Sequence, residues 1–214
     1  MNFNKKMLTL YAITDRKNDS KQELYSKVEE ALKGGITMLQ LREKSLNENE
    51  FIEEAIELKK ICHSYNVPLI INDNLEVALK AKADGVHVGI TDTPVSDIRK
   101  RVGKDFIIGA TAKTLEQAKI AYESGADYMG VGAVFPSPTK QNAVRITNEK
   151  LNEIALSVPI PCVAIGGICD ENIMQLKGSN IDGVAVVSAI FSKSSVYDAT
   201  ANLLQKVKKV MAND

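Results

Sequence analysis

Two aspartates and three basic side chains in this sequence are suited to binding a metal ion together with a diphosphate. The aspartates are Asp73 and Asp92, and the basic residues are Arg42, Lys44 and Lys140. In proteins, Mg²⁺ binds one or two carboxylates and completes its octahedron with water and substrate phosphates. Neighbouring cations would neutralise the charge that grows on a departing diphosphate. Each residue also has a simpler explanation, because the aspartates suit a turn or a helix start and a charged cluster can be merely solvated.

A second candidate site uses glycine and backbone amides in place of charge. Gly166-Gly167 follows one apolar run of the sequence, and Val187-Ser188 ends another. Glycine lets the backbone approach an anion closely, and amides at the start of a helix bind phosphate without a charged side chain. The alternative is a glycine turn that only begins a helix. Neither interpretation gives these residues a role in catalysis.

These residues are positioned by a repeating pattern of short apolar runs and amphipathic segments. Leu24, Val28, Ala31 and Leu32 have the i, i+4, i+7, i+8 spacing of one buried helical face, and similar segments separate other runs. Strands that alternate with helices form a parallel sheet, and eight of them predict a closed (β/α)8 TIM barrel, an α/β fold. The predicted strands are residues 8–13, 38–41, 68–71, 85–88, 106–110, 128–131, 162–165 and 183–187.

The alternative fold is an open, doubly wound parallel sheet. The first strand–helix junction, Ile13-Thr14-Asp15-Arg16, lacks the G-x-G-x-x-G fingerprint of dinucleotide binders on such sheets. Ala83-Asp84-Gly85, Ala126-Asp127-Tyr128 and Ile181-Asp182-Gly183 each stand where a helix leads into a strand, and one repeated junction favours repeated βα units. No Pro/Gly/Ser-rich linker divides the chain, so residues 1–214 are predicted to form one domain.

In a (β/α)8 barrel the active site forms at the carboxyl ends of the strands. Polar residues follow most of the predicted strands, so their side chains should converge on one mouth. We expect both aspartates and all three cations at this end, and the combination favours a metal and diphosphate site over scattered surface charges. The residues at these strand ends are Gln40, Arg42, Glu43, Lys44, Asn72, Asp73, Asp92, Thr111, residues 135–140, Gly166, Gly167 and Ser188.

The composition limits the partners and the compartment. The 214 residues include 27 Lys and Arg against 27 Asp and Glu, and this balance argues against a broad nucleic-acid or membrane-surface footprint. No apolar run approaches the ~18 residues of a membrane span, and the N-terminus lacks the pattern of a secretory signal. Cys62, Cys162 and Cys169 form no C-x-x-C pair and suit free thiols. We therefore expect a cytoplasmic protein with small-molecule substrates, and neither nucleic acid nor membrane as a partner.

Five segments resemble the motifs of the thiamine-phosphate synthase family, in the family's order, between about Tyr11 and Ser188. They are Gln40-Leu41-Arg42-Glu43-Lys44, Asn72-Asp73, Gly85-Val86-His87-Val88-Gly89 with Asp92, Pro136-Ser137-Pro138-Thr139-Lys140, and Ile165-Gly166-Gly167-Ile168. The resemblance implies a (β/α)8 transferase that joins 4-amino-2-methyl-5-(diphosphooxymethyl)pyrimidine to (carboxy)thiazole ethyl phosphate. The implied products are thiamine phosphate and diphosphate.

The resemblance also implies a role for the residues of both candidate sites. Asp73 and Asp92 would bind Mg²⁺, the implied cofactor. The thiazole partner would contact Ser137, Pro138 and Thr139, and its phosphate would bind Gly167, Val187 and Ser188. The residues implied to hold the pyrimidine diphosphate are Gln40, Leu41, Arg42, Glu43, Lys44, Asn72, Thr111 and Lys140. The implied catalytic residues are Arg42, Lys44, Asn72, Thr111 and Lys140.

This sequence departs from the family after the fifth predicted strand. Many relatives have Gly-x-Ser-x-His there, whereas this chain has Gly109-Ala110-Thr111-Ala112-Lys113, which keeps a hydroxyl but changes a charge. His87, inside the fourth strand, is interpreted as a packed histidine with one backbone partner. Two other functions stay open. One is a related thiazole tautomerase, which would not need the metal and diphosphate residues, and the other is a non-catalytic sensor of phosphate ligands.

Overall fold

The computed structural model describes residues 2–16, 19–136 and 145–212. Eight parallel strands pair in sequence order, and the last strand returns to the first and closes a barrel. The predicted (β/α)8 fold is confirmed. The strands are β1 Leu10–Ile13, β2 Met38–Leu41, β3 Leu69–Asn72, β4 Gly85–Val88, β5 Ile107–Ala112, β6 Tyr128–Gly132, β7 Cys162–Ile165 and β8 Gly183–Val186.

Six helices connect successive strands from β1 to β7, and α1 and α2 begin at capping boxes in which Ser20 and Asn47 are the N-caps. The β7–β8 connection contains the 3₁₀ helix Ile173–Leu176, and α7 and α8 follow β8. Across the described ranges, no helix is both long and apolar enough to cross a membrane. The helices are α1 Lys21–Gly34, α2 Glu48–Ser64, α3 Leu75–Lys80, α4 Val95–Val102, α5 Leu115–Glu123, α6 Asn148–Leu156, α7 Ser188–Phe191 and α8 Val196–Met211.

Side chains of the strands alternate between two apolar cores, as successive residues of a strand must. Met38 of β2 packs inside the barrel with Tyr11 and Ile70, whereas Leu39 and Leu41 pack between the sheet and the helices. A slip of one residue would exchange the two faces. The strand register therefore decides which side chains reach the interior and the mouth of the barrel.

The repeated helix-to-strand junction has a structural explanation. Asp84, Asp127 and Asp182 each precede a strand, and the carboxylate of each accepts a hydrogen bond from a backbone N–H near the start of the neighbouring strand. The donors are the amides of Leu69, Ile108 and Cys162, at 2.9, 2.7 and 3.1 Å. The repeat thus fixes strand pairing at the amino end of the barrel, opposite the mouth.

The amino-terminal segment covers this same end of the barrel. The run that predicts a first strand begins at residue 8, but Leu8 ends a 3₁₀ helix, Lys5–Leu8, and β1 begins at Leu10. Leu8 is fully buried in the inner core, and Phe3 and Met7 pack against that core. Leu8 is apolar because it plugs the barrel, so the predicted strand boundary is corrected by two residues.

Candidate active site

One cavity lies at the carboxyl end of the barrel, and all eight strands or the loops that follow them line it. Its volume is about 530 Å³, within the usual range of small-molecule sites. The predicted site residues that line it are Gln40, Arg42, Lys44, Asn72, Asp73, Asp92, Thr111, Gly167, Val187 and Ser188. The structure therefore brings together residues that the sequence places at six different strand ends.

Strand β2 supplies Gln40 and leads into Arg42, and both line the cavity. Leu41 lies between them and points outward, where it is fully buried against the helices. The side chain of Leu41 is therefore not placed for the predicted substrate contact. The Thr14 hydroxyl at the end of β1 accepts a hydrogen bond from the Arg42 amide at 2.9 Å. The Arg42 guanidinium lies 4.0 Å from the Asp15 carboxylate.

Glu43 also turns away from the cavity, into a buried charge cluster. Arg16 Nε donates to Glu43 Oε1 at 3.0 Å, and Arg16 Nη2 donates to Glu54 Oε2. The Glu43 and Glu54 side chains are only 3% and 2% exposed. Burial, and then repulsion from Glu54, raises the pKa of Glu43 to about 7. In place of the predicted substrate contact, Glu43 anchors the segment that carries Arg42 and Lys44.

Asp73 and Asp92 meet at the ends of β3 and β4. Their carboxyl groups lie close enough to interact electrostatically, and Asp92 Oδ2 accepts a hydrogen bond from the Gly89 amide at 2.7 Å. Burial and the charge of Asp92 raise the pKa of Asp73. Asp73 has a φ of 62°, a left-handed conformation that aspartate tolerates better than most residues. The Lys44 ammonium lies 3.6 Å from Asp73 Oδ2 and offsets part of the negative charge.

The chemistry of this carboxylate pair fits a divalent cation. Two adjacent and partly buried carboxylates repel each other unless a proton or a cation lies between them. Mg²⁺ uses one or two protein carboxylates and leaves its other positions to water and phosphate oxygens. Within residues 2–16, 19–136 and 145–212, no group of three or more His, Cys, Asp or Glu side chains could hold a metal. An ion held by Asp73 and Asp92 would therefore need water or the phosphate oxygens of a substrate to complete its coordination.

Thr111 lines the cavity from β5 and contacts His87 behind it. His87 Nε2 lies 3.1 Å from Thr111 Oγ1, and His87 Nδ1 lies 3.2 Å from the Tyr128 hydroxyl. The backbone carbonyl of His87 accepts from the Asp73 amide at 2.8 Å. His87 is packed, as the sequence predicts, but its ring contacts two hydroxyl groups, which the sequence does not reveal. Lys113, the departure from the family pattern, also lines the cavity.

The loop after β7 presents its backbone to the cavity. Gly166 and Gly167 have φ values of 102° and 65°, which residues with a side chain rarely adopt. A Cβ on Gly167 would lie 2.7 Å from the Phe135 carbonyl oxygen. Asn172 holds the loop from the other side, because its Nδ2 donates to the Gly167 carbonyl and its Oδ1 accepts from the Cys169 amide, both at 2.9 Å. Glycine at these positions therefore lets the loop pack closely against the segment that follows β6, and the packed loop lines the cavity with main chain.

Val187 and Ser188 form the neighbouring turn after β8. Ser188 begins α7, and Val187 is the N-cap of this helix without a side-chain capping bond. The first amides of a helix have no intrahelical acceptor, and a valine side chain cannot supply one. Together with the glycine loop, this turn gives the cavity a rim suited to phosphate that relies on backbone amides.

Four predicted site residues lie outside the described residues: Ser137, Pro138, Thr139 and Lys140. They follow β6 in the chain. The residue just before them, Pro136, is described, and the amide of the preceding Phe135 donates to the Gly166 carbonyl at 3.0 Å. The described part of this connection therefore runs alongside the glycine loop.

Several residues that support the cavity have no role in the sequence prediction. Tyr11 and Tyr128 fill the barrel beneath it, and alternation along β1 and β6 was the available signal, because both occupy inward positions. Nothing in the sequence indicates that Arg16 and Glu54 are buried, because an arginine in a loop and a glutamate on a helix are normally solvated. Their burial depends on long-range packing between the β1–α1 loop and α2.

The fold and the cavity define a class of protein: a (β/α)8 barrel whose mouth has carboxylates and cations on one side and a glycine-rich backbone surface on the other. The model of a family described as thiamine monophosphate synthase matches residues 10–190. The chain belongs to this family.

Relatives in this family are similar over nearly the whole chain. A thiamine-phosphate synthase of Clostridium acetobutylicum is 44% identical and covers 94% of this chain and 95% of its own length. One of Methanobrevibacter smithii is 45% identical, with 94% and 96% covered. The solved structure of a thiamine phosphate pyrophosphorylase from Pyrococcus furiosus aligns with a TM-score of 0.89 at 37% identity, covering 97% of this chain and 99% of that one. These similarities support both the fold and the family.

Proposed function

We propose that this chain is a transferase that catalyses thiamine-phosphate synthesis from a pyrimidine diphosphate and a thiazole phosphate. The observation that carries the proposal is a cavity lined on one side by charged side chains and on the other by main chain, both of which suit anions. Two such surfaces suit two phosphorylated substrates that must react with each other. Membership of the family supports the same conclusion.

The proposed reaction breaks the bond between the pyrimidine methylene carbon and the diphosphate oxygen, and both electrons leave with the oxygen. The amino group of the pyrimidine stabilises the methylene cation that remains. The lone pair of the thiazole nitrogen then forms the new C–N bond. The protein accelerates this reaction by neutralising the leaving group and by holding the two reactants together, so it needs no nucleophilic side chain.

On the charged side, we assign Arg42, Lys44 and Lys140 to the diphosphate. Lys44 already lies beside Asp73, so its ammonium is placed to contact both the carboxylates and a phosphate oxygen. Gln40, Asn72 and Thr111 have uncharged hydrogen-bonding groups at the same strand ends and would orient the pyrimidine.

Asp73 and Asp92 are the residues that we propose to hold Mg²⁺. Bound there, the ion would supply positive charge to the leaving diphosphate. The raised pKa of Asp73, caused by burial and then by the charge of Asp92, supports this assignment, because a cation between the carboxylates would offset both effects.

On the backbone side, Gly167, Val187 and Ser188 would hold the phosphate of the thiazole substrate. Ser137, Pro138 and Thr139 remain the proposed contacts of the thiazole itself. A phosphate held by backbone amides would fix the distance of the thiazole nitrogen from the methylene carbon. This arrangement uses binding energy far from the reacting atoms to position them.

We further propose that the chain works in the cytoplasm on small molecules alone, without nucleic acid or membrane as a partner. Cys62, Cys162 and Cys169 are free thiols in the structure, which suits a reducing compartment. The equal numbers of acidic and basic residues support small substrates over a polyanion.

Mixing both substrates with Mg²⁺ and measuring diphosphate release tests this function. We expect diphosphate and thiamine phosphate in equal amounts, and only when both substrates and Mg²⁺ are present. Isomerisation of a thiazole phosphate without the pyrimidine would support the tautomerase alternative. Binding of the substrates without turnover would support the sensor, and either result would contradict the proposal.

A further inference from the structure

A continuous chain of buried polar side chains crosses the barrel beneath the cavity. Thr111 Oγ1 lies 3.1 Å from His87 Nε2, and His87 Nδ1 lies 3.2 Å from the Tyr128 hydroxyl. That hydroxyl lies 2.9 Å from the Tyr11 hydroxyl, which accepts a hydrogen bond from Gln40 Nε2 at 2.6 Å. The hydrogen-bonded chain therefore joins Thr111 of β5 to Gln40 of β2 through His87, Tyr128 and Tyr11, of which His87 and Tyr11 also line the floor of the cavity.

Two glycines make room for this chain. A Cβ at Gly109 would collide with the Tyr128 ring and with His87 Nδ1, and a Cβ at Gly130 would lie 3.2 Å from His87 Cε1. Tyr11 and Tyr128 meet edge to face, with ring centroids 5.9 Å apart, and both are almost completely buried. Polar groups buried this deeply are costly unless each finds a partner, so the chain is fixed in geometry.

The order of donors along the chain follows from counting protons. Burial raises the pKa of both tyrosines well above 10, so each phenol keeps its single proton. Tyr11 faces a donor at Gln40, so the Tyr128 oxygen is the acceptor within this chain for the Tyr11 proton. Tyr128 then donates to His87 Nδ1, so this nitrogen carries no proton and the ring proton lies on Nε2, facing Thr111 Oγ1. Because Thr111 accepts this bond, its own hydroxyl proton is directed elsewhere.

We propose that His87 is a positioning residue that makes the Thr111 hydroxyl a hydrogen-bond donor into the cavity. The ligand group that suits this donor is an acceptor such as a pyrimidine ring nitrogen, so the inference deepens the proposed function and rests on it. The Tyr128–Tyr11–Gln40 segment fixes the tautomer of His87. This effect is separate from any direct contact with the substrate, such as the contact assigned to Gln40.

Nitrogen NMR of the substrate-free protein tests the tautomer directly. The whole protein has two histidines, so selective ¹⁵N-histidine labelling gives a simple spectrum. His63 contacts the Asp84 carboxylate at 2.8 Å, at the opposite end of the barrel, and His63→Gln assigns its signals. We expect His87 with protonated Nε2 and unprotonated Nδ1, and a loss of this preference in Tyr128→Phe. A proton on Nδ1, or no change in Tyr128→Phe, would overturn the proposal.

Two substitutions of His87 test its action through Thr111. The amide nitrogen of His87→Gln replaces Nε2, whereas His87→Asn can replace only Nδ1. We expect kcat/KM for the pyrimidine diphosphate to fall roughly tenfold in His87→Asn and less than about threefold in His87→Gln, as for loss of one hydrogen bond. KM for the thiazole phosphate should not change in either variant. Thermal unfolding identifies a variant that fails to fold, and Tyr128→Phe then provides the kinetic test.

A double substitution separates positioning from a merely structural role. In a Thr111→Val background, His87→Asn should cause no further loss of kcat/KM, because its effect passes through the missing hydroxyl. Equal losses in His87→Asn and His87→Gln, or additive losses with Thr111→Val, would refute the proposal. An absence of diphosphate release by the wild-type chain would count against the proposed function alone, because the NMR result does not depend on turnover.

Discussion

The two sides of the cavity mouth present different chemical groups to a ligand. At the ends of β2, β3 and β4, the surface is made of charged side chains, with the Asp73–Asp92 pair beside Lys44. At the ends of β7 and β8, it is made of main chain, with Gly167 at a φ of 65° and the uncapped turn at Val187. On the first side, burial and the charge of Asp92 raise the pKa of Asp73, whereas the second side presents glycine, valine and serine.

This difference matches the demands of the proposed reaction. A leaving diphosphate gains charge as its bond to carbon breaks, so groups that neutralise it act most strongly in the transition state. The phosphate of the second substrate keeps its charge throughout, so a rigid cradle of amides is sufficient. Substitutions on the charged side should therefore lower kcat, and substitutions on the backbone side should raise KM for the thiazole phosphate.

Asp92→Asn, on the charged side, is expected to have the largest effect on kcat. This change keeps an acceptor for the Gly89 amide but removes one charge from the carboxylate pair. We expect kcat for diphosphate release to fall by about 10²–10³, as for loss of a strong electrostatic contribution. Asp97→Asn, on the exposed face of α4, is the matched control and should leave kcat unchanged. A rise in KM for the thiazole phosphate with normal kcat would remove the distinction between the two sides.

The second prediction concerns Gly167→Ala on the backbone side. The positive φ and the contact with the Phe135 carbonyl should lower the free energy of unfolding by roughly 2–4 kcal/mol. KM for the thiazole phosphate should rise at least about tenfold, because the loop must shift, and kcat at saturation should change less. Gly178→Ala is the control for strain alone, since Gly178 has a φ of 85° with open space around it. An equal KM effect in both variants would show that the loop is not a binding surface.

The third prediction extends the comparison to the buried cluster behind the charged side. The pKa of Glu43 is about 7 in the folded chain against an ordinary value of 4.5, so the folded state binds this proton more tightly. The free energy of unfolding should therefore decrease as the pH rises from about 4.5 through 7. Glu43→Gln imitates the protonated form at every pH. It should be more stable than the wild-type chain by roughly 2 kcal/mol near pH 8 and equally stable near pH 4.

Chemical denaturation of both chains across this pH range measures the effect. Glu57→Gln is the matched control, because the half-exposed Glu57 lies on the same helix as Glu54 and pairs with Lys60 at the surface. Its gain in stability over the wild-type chain near pH 8 should be much smaller than that of Glu43→Gln. A wild-type chain that became more stable than Glu43→Gln with rising pH would contradict the proposed proton on Glu43.

The smallest effect is expected from Ser188→Ala. The substitution removes a hydroxyl but leaves the amides at the start of α7, so KM for the thiazole phosphate should rise by only about 3–10-fold. The measurement is the same steady-state assay with the thiazole phosphate varied. A loss greater than that of Gly167→Ala would assign the phosphate grip to a side chain and weaken the comparison.

The sequence predicted the barrel and most of the residues around its mouth. Strand β4 lies at the predicted residues, because continuous runs of buried residues mark parallel strands and the site follows from where they end. The repeated aspartates were recognised as a junction, and the structure adds what each one binds, as Asp84 does with the Leu69 amide. The predicted start of β1 at Leu8 is wrong, because a buried residue that plugs the barrel is as apolar as a residue of a buried strand.

The features of the site that the sequence did not predict depend on contacts between segments that are distant in sequence. Glu43 lies within a charged motif, and only the position of Arg16 and Glu54 shows that its carboxylate turns inward. His87 reads as a packed side chain, and its partners Thr111 and Tyr128 are 24 and 41 residues away. Strand register, together with the space that Gly109 and Gly130 leave, decides which polar side chains come into contact inside the barrel.

Calorimetric titration with the thiazole phosphate alone tests most directly whether the two sides bind different substrates. The wild-type chain and Asp92→Asn should bind it with the same Kd, although Asp92→Asn turns over poorly. Gly167→Ala should bind it at least about tenfold more weakly. Equal weakening in both variants, or weakening in Asp92→Asn alone, would show that one shared surface binds the phosphate and would contradict this account.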